Sequence, residues 1–143
     1  MSTFYFIRHG QQDHDVIKDM HFTGYGLELV PLTPLGETQA GDCAGDFRLH
    51  DCEIILTSPY TRALQTAAIL SRRLGKDLRV EVDLREHELD MAGRVESLEE
   101  LRSIAPQHQR EVHGGNEDGD HTRETYESLK ARVTAVLEKY RGY

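Results

Sequence analysis

Three consecutive residues near the start of the chain, Arg8, His9 and Gly10, have the types needed to handle phosphorus. A guanidinium can hold phosphate oxygens in a two-pronged fork, and an imidazole beside it can attack phosphorus. A glycine next to them lets the backbone approach an anion closely. The tripeptide is short enough to recur by chance, and a histidine there also fits a hydrogen-bonded structural role. A fourth residue strengthens the pattern. Arg62 follows the apolar run Glu53 to Thr57 and falls in the first turn of a helical stretch. A helix N-terminus carries partial positive charge and free N–H groups, so it suits an anion and disfavours an arginine of its own. A bound phosphate would account for Arg62 there; the competing reading is a solvated surface residue.

The elements that must position these residues read as an α/β chain. Thr3 to Ile7, Glu53 to Thr57 and Arg79 to Val82 are short runs suited to buried strands. The first two are continuously apolar, as expected where a parallel sheet is covered on both faces. Thr33 followed by Pro34 starts a helix, with a capping hydroxyl and then a residue that needs no N–H. Thr61 to Leu74 aligns Ala63, Ala67, Leu70 and Leu74 on one face, and Gly75 stands at its C-terminal cap. Ser97 with Glu100 forms a capping box for a short helix through Leu101. Tyr126, Leu129, Val133, Val136, Leu137 and Tyr140 outline an amphipathic C-terminal helix. Gln107 to Thr122 reads as a loop. Strands alternating with helices imply a mostly parallel sheet, whose ligands gather at the carboxyl ends of its strands. Both Arg8-His9-Gly10 and Arg62 fall at that edge.

The bulk numbers set bounds. The chain has 143 residues, enough for a single domain spanning 1–143. Its formal net charge of −8 argues against a general nucleic-acid binder, while leaving room for a local anion pocket. No apolar run is long enough to span a membrane, and no secretory signal is recognisable, so the expected location is the cytoplasm. Cys43 and Cys52 are too few for a disulfide framework or a zinc cage.

Four stretches taken together carry a family resemblance: Phe6-Ile7-Arg8-His9-Gly10, Pro31 to Ala40, Thr57-Ser58-Pro59 through Arg62-Ala63 and Thr66-Ala67, and Leu84-Arg85-Glu86. In this order the chain resembles the histidine phosphatase superfamily, also called phosphoglycerate mutase-like. The resemblance implies a three-layer α/β sandwich around a mostly parallel sheet. It implies that His9 accepts the phosphoryl group as a covalent phosphohistidine, and that Arg8 and Arg62 clamp the transferring oxygens. Glu86 would be the general acid and then the base, with its carboxyl pKa raised by repulsion within the trio Glu86, Glu88 and Asp90. Glu88 is the alternative acid.

The sequence also departs from the family pattern. Gln11, Gln12, His14 and Asp15 stand where the family carries an acidic residue, a threonine, an aromatic and an asparagine. Leu89-Asp90-Met91-Ala92-Gly93 keeps only the last glycine of the stretch that usually follows the acid. The family places a second active-site histidine on a strand after the last helix, and the chain ends at Tyr143 before any such strand. The expectation is therefore a domain that is C-terminally incomplete, or one that leaves a sheet position unfilled. His113-Gly114-Gly115 offers a similar dipeptide, but precedes that helix and reads as a loop. The other histidines, His14, His21, His50, His87, His108 and His121, read as surface residues, with His14 and His87 nearest the motif residues.

Asn116, Asp118, Asp120 and Glu127 have partial calcium-loop spacing, but His121 takes the place where such a loop needs glycine. A solvated acidic loop is the better account, and no metal or other cofactor is expected. The resulting expectation is a phosphatase acting on a small phosphorylated substrate, with no nucleic-acid or membrane partner and an oligomeric state that the sequence does not reveal. Two alternatives stand beside it. One is a phosphoglycerate-type mutase, disfavoured because only about 40 residues separate Glu86 from Tyr126, little room for a closing insertion. The other is a non-catalytic phosphate-binding homologue, motivated by the absence of the second histidine from this sequence.

Overall fold

The computed structural model of the chain describes residues 2–18, 20, 22, 24–88, 95–97, 99–100, 103 and 124–143. In chain order these form α1 (Asp15–Lys18), α2 (Pro34–Cys43), β1 (Ile54–Thr57), α3 (Thr61–Leu74), β2 (Asp77–Val80) and α4 (Tyr126–Lys139). Short 3-10 segments lie at Gly24–Leu29, Phe47–Leu49 and Val82–Leu84.

The organising unit is β1–α3–β2, a parallel pair joined by a crossover helix. Ile54, Ile55, Leu56 and Thr57 stand opposite Asp77, Leu78, Arg79 and Val80. α3 matches the helix expected from the sequence residue for residue. Its buried face is Arg62, Thr66, Ala67 and Leu70, and it closes on Gly75 at φ 65°, a left-handed cap that suits glycine. α2 begins as its capping pair indicates, with the Thr33 hydroxyl accepting from the Gly36 N–H at 3.0 Å. α2 and α3 pack against each other, and α4 packs on the Val82–Leu84 turn.

The core is divided. Ala44, Leu49 and Leu70 form one buried cluster, with the free thiols Cys43 and Cys52 packed at its edge alongside Ile55 and Leu74. Ile17, Leu27, Val30 and Val95 form another, with Phe22 against it.

Two strand expectations are corrected. The third strand lies at Asp77–Val80 rather than Arg79 to Val82, because the chain pairs with β1 directly after the Gly75 cap and then enters the Val82–Leu84 turn. Thr3 to Ile7 is not a buried strand. Among the described residues it pairs with no strand, and Tyr5, Phe6 and Ile7 are 45%, 75% and 40% exposed. Continuous apolar content favours burial, but a strand also needs a neighbouring edge to satisfy its backbone. A cavity of about 910 Å³ is lined both by this segment and by β1. The sheet of the described residues is two-stranded, in the order β1–β2.

The Ser97–Glu100 box is half formed. Ser97 Oγ accepts from the Glu100 N–H at 3.2 Å, while Glu100 returns its carboxylate to the Glu96 N–H. Leu101, Leu89 to Gly93, Gln107 to Thr122 with His113, His108 and His121, and also His21, lie outside the described residues.

Candidate functional site

β1 delivers the chain through Ser58, Pro59 and Tyr60 into α3, which places Arg62 one residue inside the helix. Its side chain is only 7% exposed, which overturns the surface reading. Nη1 donates to Glu28 Oε2 and Nη2 to Glu86 Oε2, both at 2.6 Å. The guanidinium also lies 5.1 Å from the centre of the Tyr60 ring. Burial works against the Arg62 charge, yet the facing Glu28 and Glu86 carboxylates outweigh it and hold its pKa above the ordinary value. These two carboxylates, rather than an anion alone, explain an arginine so early in a helix.

His9 is half-buried and sits on the segment leading into Gly10. Its Nδ1 lies 2.8 Å from the Gly10 carbonyl oxygen. A carbonyl can only accept, so the contact places a proton on Nδ1 and turns Nε2 away from this partner. Gly10 is held in turn by its own N–H, which donates to Thr66 Oγ1 at 3.1 Å. Thr66 lies one helical turn beyond Arg62 and donates to the Arg62 carbonyl at 2.8 Å. One buried threonine thus links the histidine segment to the arginine turn. Gly10 is required by packing: a Cβ there would stand 2.2 Å from the Gly36 carbonyl oxygen. The close backbone approach expected of this glycine is therefore to α2.

Glu86 follows the Val82–Leu84 turn, and its side chain is 65% exposed. The loop that carries it is clamped by Arg132 of α4. Arg132 Nη1 donates to the carbonyls of Asp83 at 2.7 Å and Arg85 at 2.8 Å, and Nη2 to that of Glu86 at 3.1 Å. The same guanidinium holds Glu124 in a fork, at 2.6 Å from Nε and 2.7 Å from Nη2. Glu124 in turn accepts from the Glu88 N–H, and its carbonyl oxygen lies 2.6 Å from His87 Nε2. His87 therefore belongs to the scaffold of the loop.

Glu88 does not join Glu86 in a repelling trio. It is buried, pairs with Arg85 at 3.0 Å and accepts from the Tyr25 hydroxyl at 2.9 Å. Its charge is taken up by Arg85, and Asp90 lies outside the described residues. Arg8 is exposed and lines the same cavity as His9, Arg62 and Glu86. Asp15 opens α1, where its N–H donates to Asp13, and His50 closes the Phe47–Leu49 turn. Among the described residues, no group of three His, Cys, Asp or Glu side chains could hold a metal ion. No helix among them is long and apolar enough to cross a membrane.

Glu28, Tyr25 and the Arg132–Glu124 clamp were not visible in the sequence reading. Glu28 lies 34 residues from Arg62 with no local pattern to join them. Arg132 and Glu124 are eight residues apart around the start of α4, and only the returning loop brings out their role.

The clamp has a measurable signature. Burial tends to raise the Glu124 carboxyl pKa, but the Arg132 fork and the Glu88 N–H overcome this and hold it below its ordinary 4.5. Such a group stabilises the fold above about pH 4.5 and loses that contribution as pH falls through the lower folded value. Glu124→Gln is expected to cost on the order of 3 kcal/mol at pH 7, the scale for breaking a buried ion pair. Urea unfolding of both proteins across pH 3 to 7 checks this, with their difference shrinking below about pH 4.5.

The family model of the histidine phosphatase superfamily, branch 1, matches residues 4–142. A Photorhabdus laumondii protein named for phosphoglycerate mutase, GpmB, is 28% identical over 99% of this chain and 64% of its own length. A Hydrogenobacter thermophilus protein named phosphoserine phosphatase 2 is 38% identical over 60% of this chain and 40% of its own. The chain thus spans less than two thirds of the length of these curated relatives. The structure of a mycobacterial glucosyl-3-phosphoglycerate phosphatase with inorganic phosphate is similar at TM-score 0.66 and 25% identity, covering 92% of this chain and 58% of that one. A match over nearly the whole sequence, on an α/β frame that brings Arg62 to Glu86 beside the His9 segment, means that this chain belongs to the histidine phosphatase superfamily.

Proposed function

We propose that the protein is a phosphatase that hydrolyses a phosphate monoester through a covalent phosphohistidine on His9. The observation that carries this reading is the 2.8 Å approach of His9 Nδ1 to the Gly10 carbonyl oxygen, which leaves Nε2 as the ring nitrogen available to phosphorus in a cavity shared with Arg8, Arg62 and Glu86. In the first step the Nε2 lone pair attacks phosphorus and the ester P–O bond breaks. Glu86, protonated, gives its proton to the leaving alkoxide, so the alcohol departs neutral. Arg8 and Arg62 hold the non-bridging oxygens and stabilise charge as it redistributes. In the second step water attacks phosphorus, Glu86 takes a proton from that water, and the P–N bond breaks, so that phosphate leaves and the lone pair returns to His9 Nε2. The clamp of Arg132 on three carbonyls of the 83–86 loop fits a role in holding Glu86 to both steps.

The test is a rapid acid-free quench after mixing with an aryl phosphate, followed by peptide mapping. The expected result is a base-stable, acid-labile phosphoryl adduct on His9. Turnover without any such adduct would remove the covalent mechanism. The similarity to a relative named for phosphoglycerate mutase keeps transfer to a second hydroxyl as the competing outcome. Isomerised phosphoglycerate, rather than free phosphate, as the main product would favour it.

A further inference from the structure

Glu28 is assigned no part in the reaction above, yet it takes one whole arm of the Arg62 fork. It stands on the Gly24–Leu29 turn, and its side chain is 25% exposed. Glu86 takes the other arm, so the two carboxylates lie no farther apart than one guanidinium and two short hydrogen bonds. A buried arginine with two carboxylates on it presents no net positive charge. Among the described residues, Arg8 is then the cation lining this cavity that balances a phosphoryl dianion, since Arg48 is engaged with Asp46 and Arg85 with Glu88 and Asp83. Burial, followed by the charges of Glu28 and Glu88, pushes the Tyr60 phenol well above its ordinary pKa, so it stays a neutral hydroxyl.

We propose that Glu28 is a specificity-determining residue that biases the site toward phosphate monoesters whose alcohol carries hydroxyl or ammonium groups and against those that carry a carboxylate. This rests on the phosphatase reading of the same site. A phosphoryl group docked on Arg62 comes within reach of the Glu28 carboxylate, and a third anion on the alcohol adds repulsion. Hydroxyl or ammonium groups would instead find an acceptor in Glu28. The inference separates this chain from its relative named for phosphoglycerate, a carboxylate-bearing ester.

A matched pair of ligands tests it: glycerol 3-phosphate and 3-phosphoglycerate differ chiefly in a hydroxymethyl group against a carboxylate. Calorimetric binding to the full chain should favour glycerol 3-phosphate by about tenfold, or about 1.4 kcal/mol. Glu28→Gln should bring the ratio to within about threefold, chiefly by tightening 3-phosphoglycerate, while Glu28→Asp, which keeps the charge, should retain the preference. Thermal unfolding of each variant verifies that it is folded. A wild-type ratio near one, or a ratio that Glu28→Gln leaves unchanged while both esters still bind, overturns this inference and leaves the phosphatase reading standing. If neither ester binds wild type and no adduct forms on His9, the phosphatase reading falls and takes this inference with it.

Discussion

Replacing Arg62 by alanine is expected to lower kcat/KM on an aryl phosphate by about 10²- to 10³-fold, the scale for removing one preorganised donor to a developing oxyanion. The same change removes the cation between Glu28 and Glu86, leaving two carboxylates with their charge uncompensated. Removing one partner of a buried pair costs about 3–5 kcal/mol of stability, although exposure of Glu86 to water reduces its share. Two effects of one substitution must therefore be separated. Arg62→Ala combined with Glu28→Gln should regain stability, because one stranded charge is gone, without regaining turnover. Denaturant unfolding and steady-state kinetics on the single and double variants read the two apart. Arg62→Lys should keep part of the stability and little of the rate, since an ammonium offers a point charge rather than a fork spanning two partners. Rates restored in the double variant would show that Arg62 serves the fold and not the phosphoryl group.

Replacing His9 by alanine should reduce hydrolysis at least about a thousandfold, as expected when a covalent nucleophile is lost and the remaining binding groups act alone. Binding should respond differently. Arg8 and Arg62 remain, and the link from Gly10 through Thr66 to the Arg62 turn runs along backbone and a threonine that the substitution does not touch. Inorganic phosphate is expected to bind within a few-fold of wild type. Equal rates in wild type and His9→Ala would refute the catalytic assignment of this residue, whatever the state of the anion site.

Legibility of the fold followed the range of the interaction responsible. α3 could be read to the residue because its apolar face and its glycine cap lie within one stretch of chain. The Thr33–Pro34 start of α2 was equally local. Thr3 to Ile7 differs from the expected buried strand because its apolar run states a preference, and pairing depends on an edge supplied from elsewhere. β2 lies two residues before its expected position because its register is set by β1, 23 positions away at Ile54 opposite Asp77.

The site divides along the same line. By itself the sequence determined the candidates for the site: Arg8 and His9 at the end of an apolar run, Arg62 in the first turn after β1, and Glu86 through a resemblance carried by four short motifs. These depend on residue type and near-neighbour order, which one dimension records. Only the tertiary structure decided the electrical state in which those groups meet. It brought Glu28 onto Arg62, gave Glu88 to Arg85 and Tyr25 instead of to a repelling trio, and hung the Glu86 loop on Arg132. Coulombic and hydrogen-bonding energies depend on distances across a few ångströms, and partners 34 or 46 residues apart leave no trace of that distance in their order along the chain.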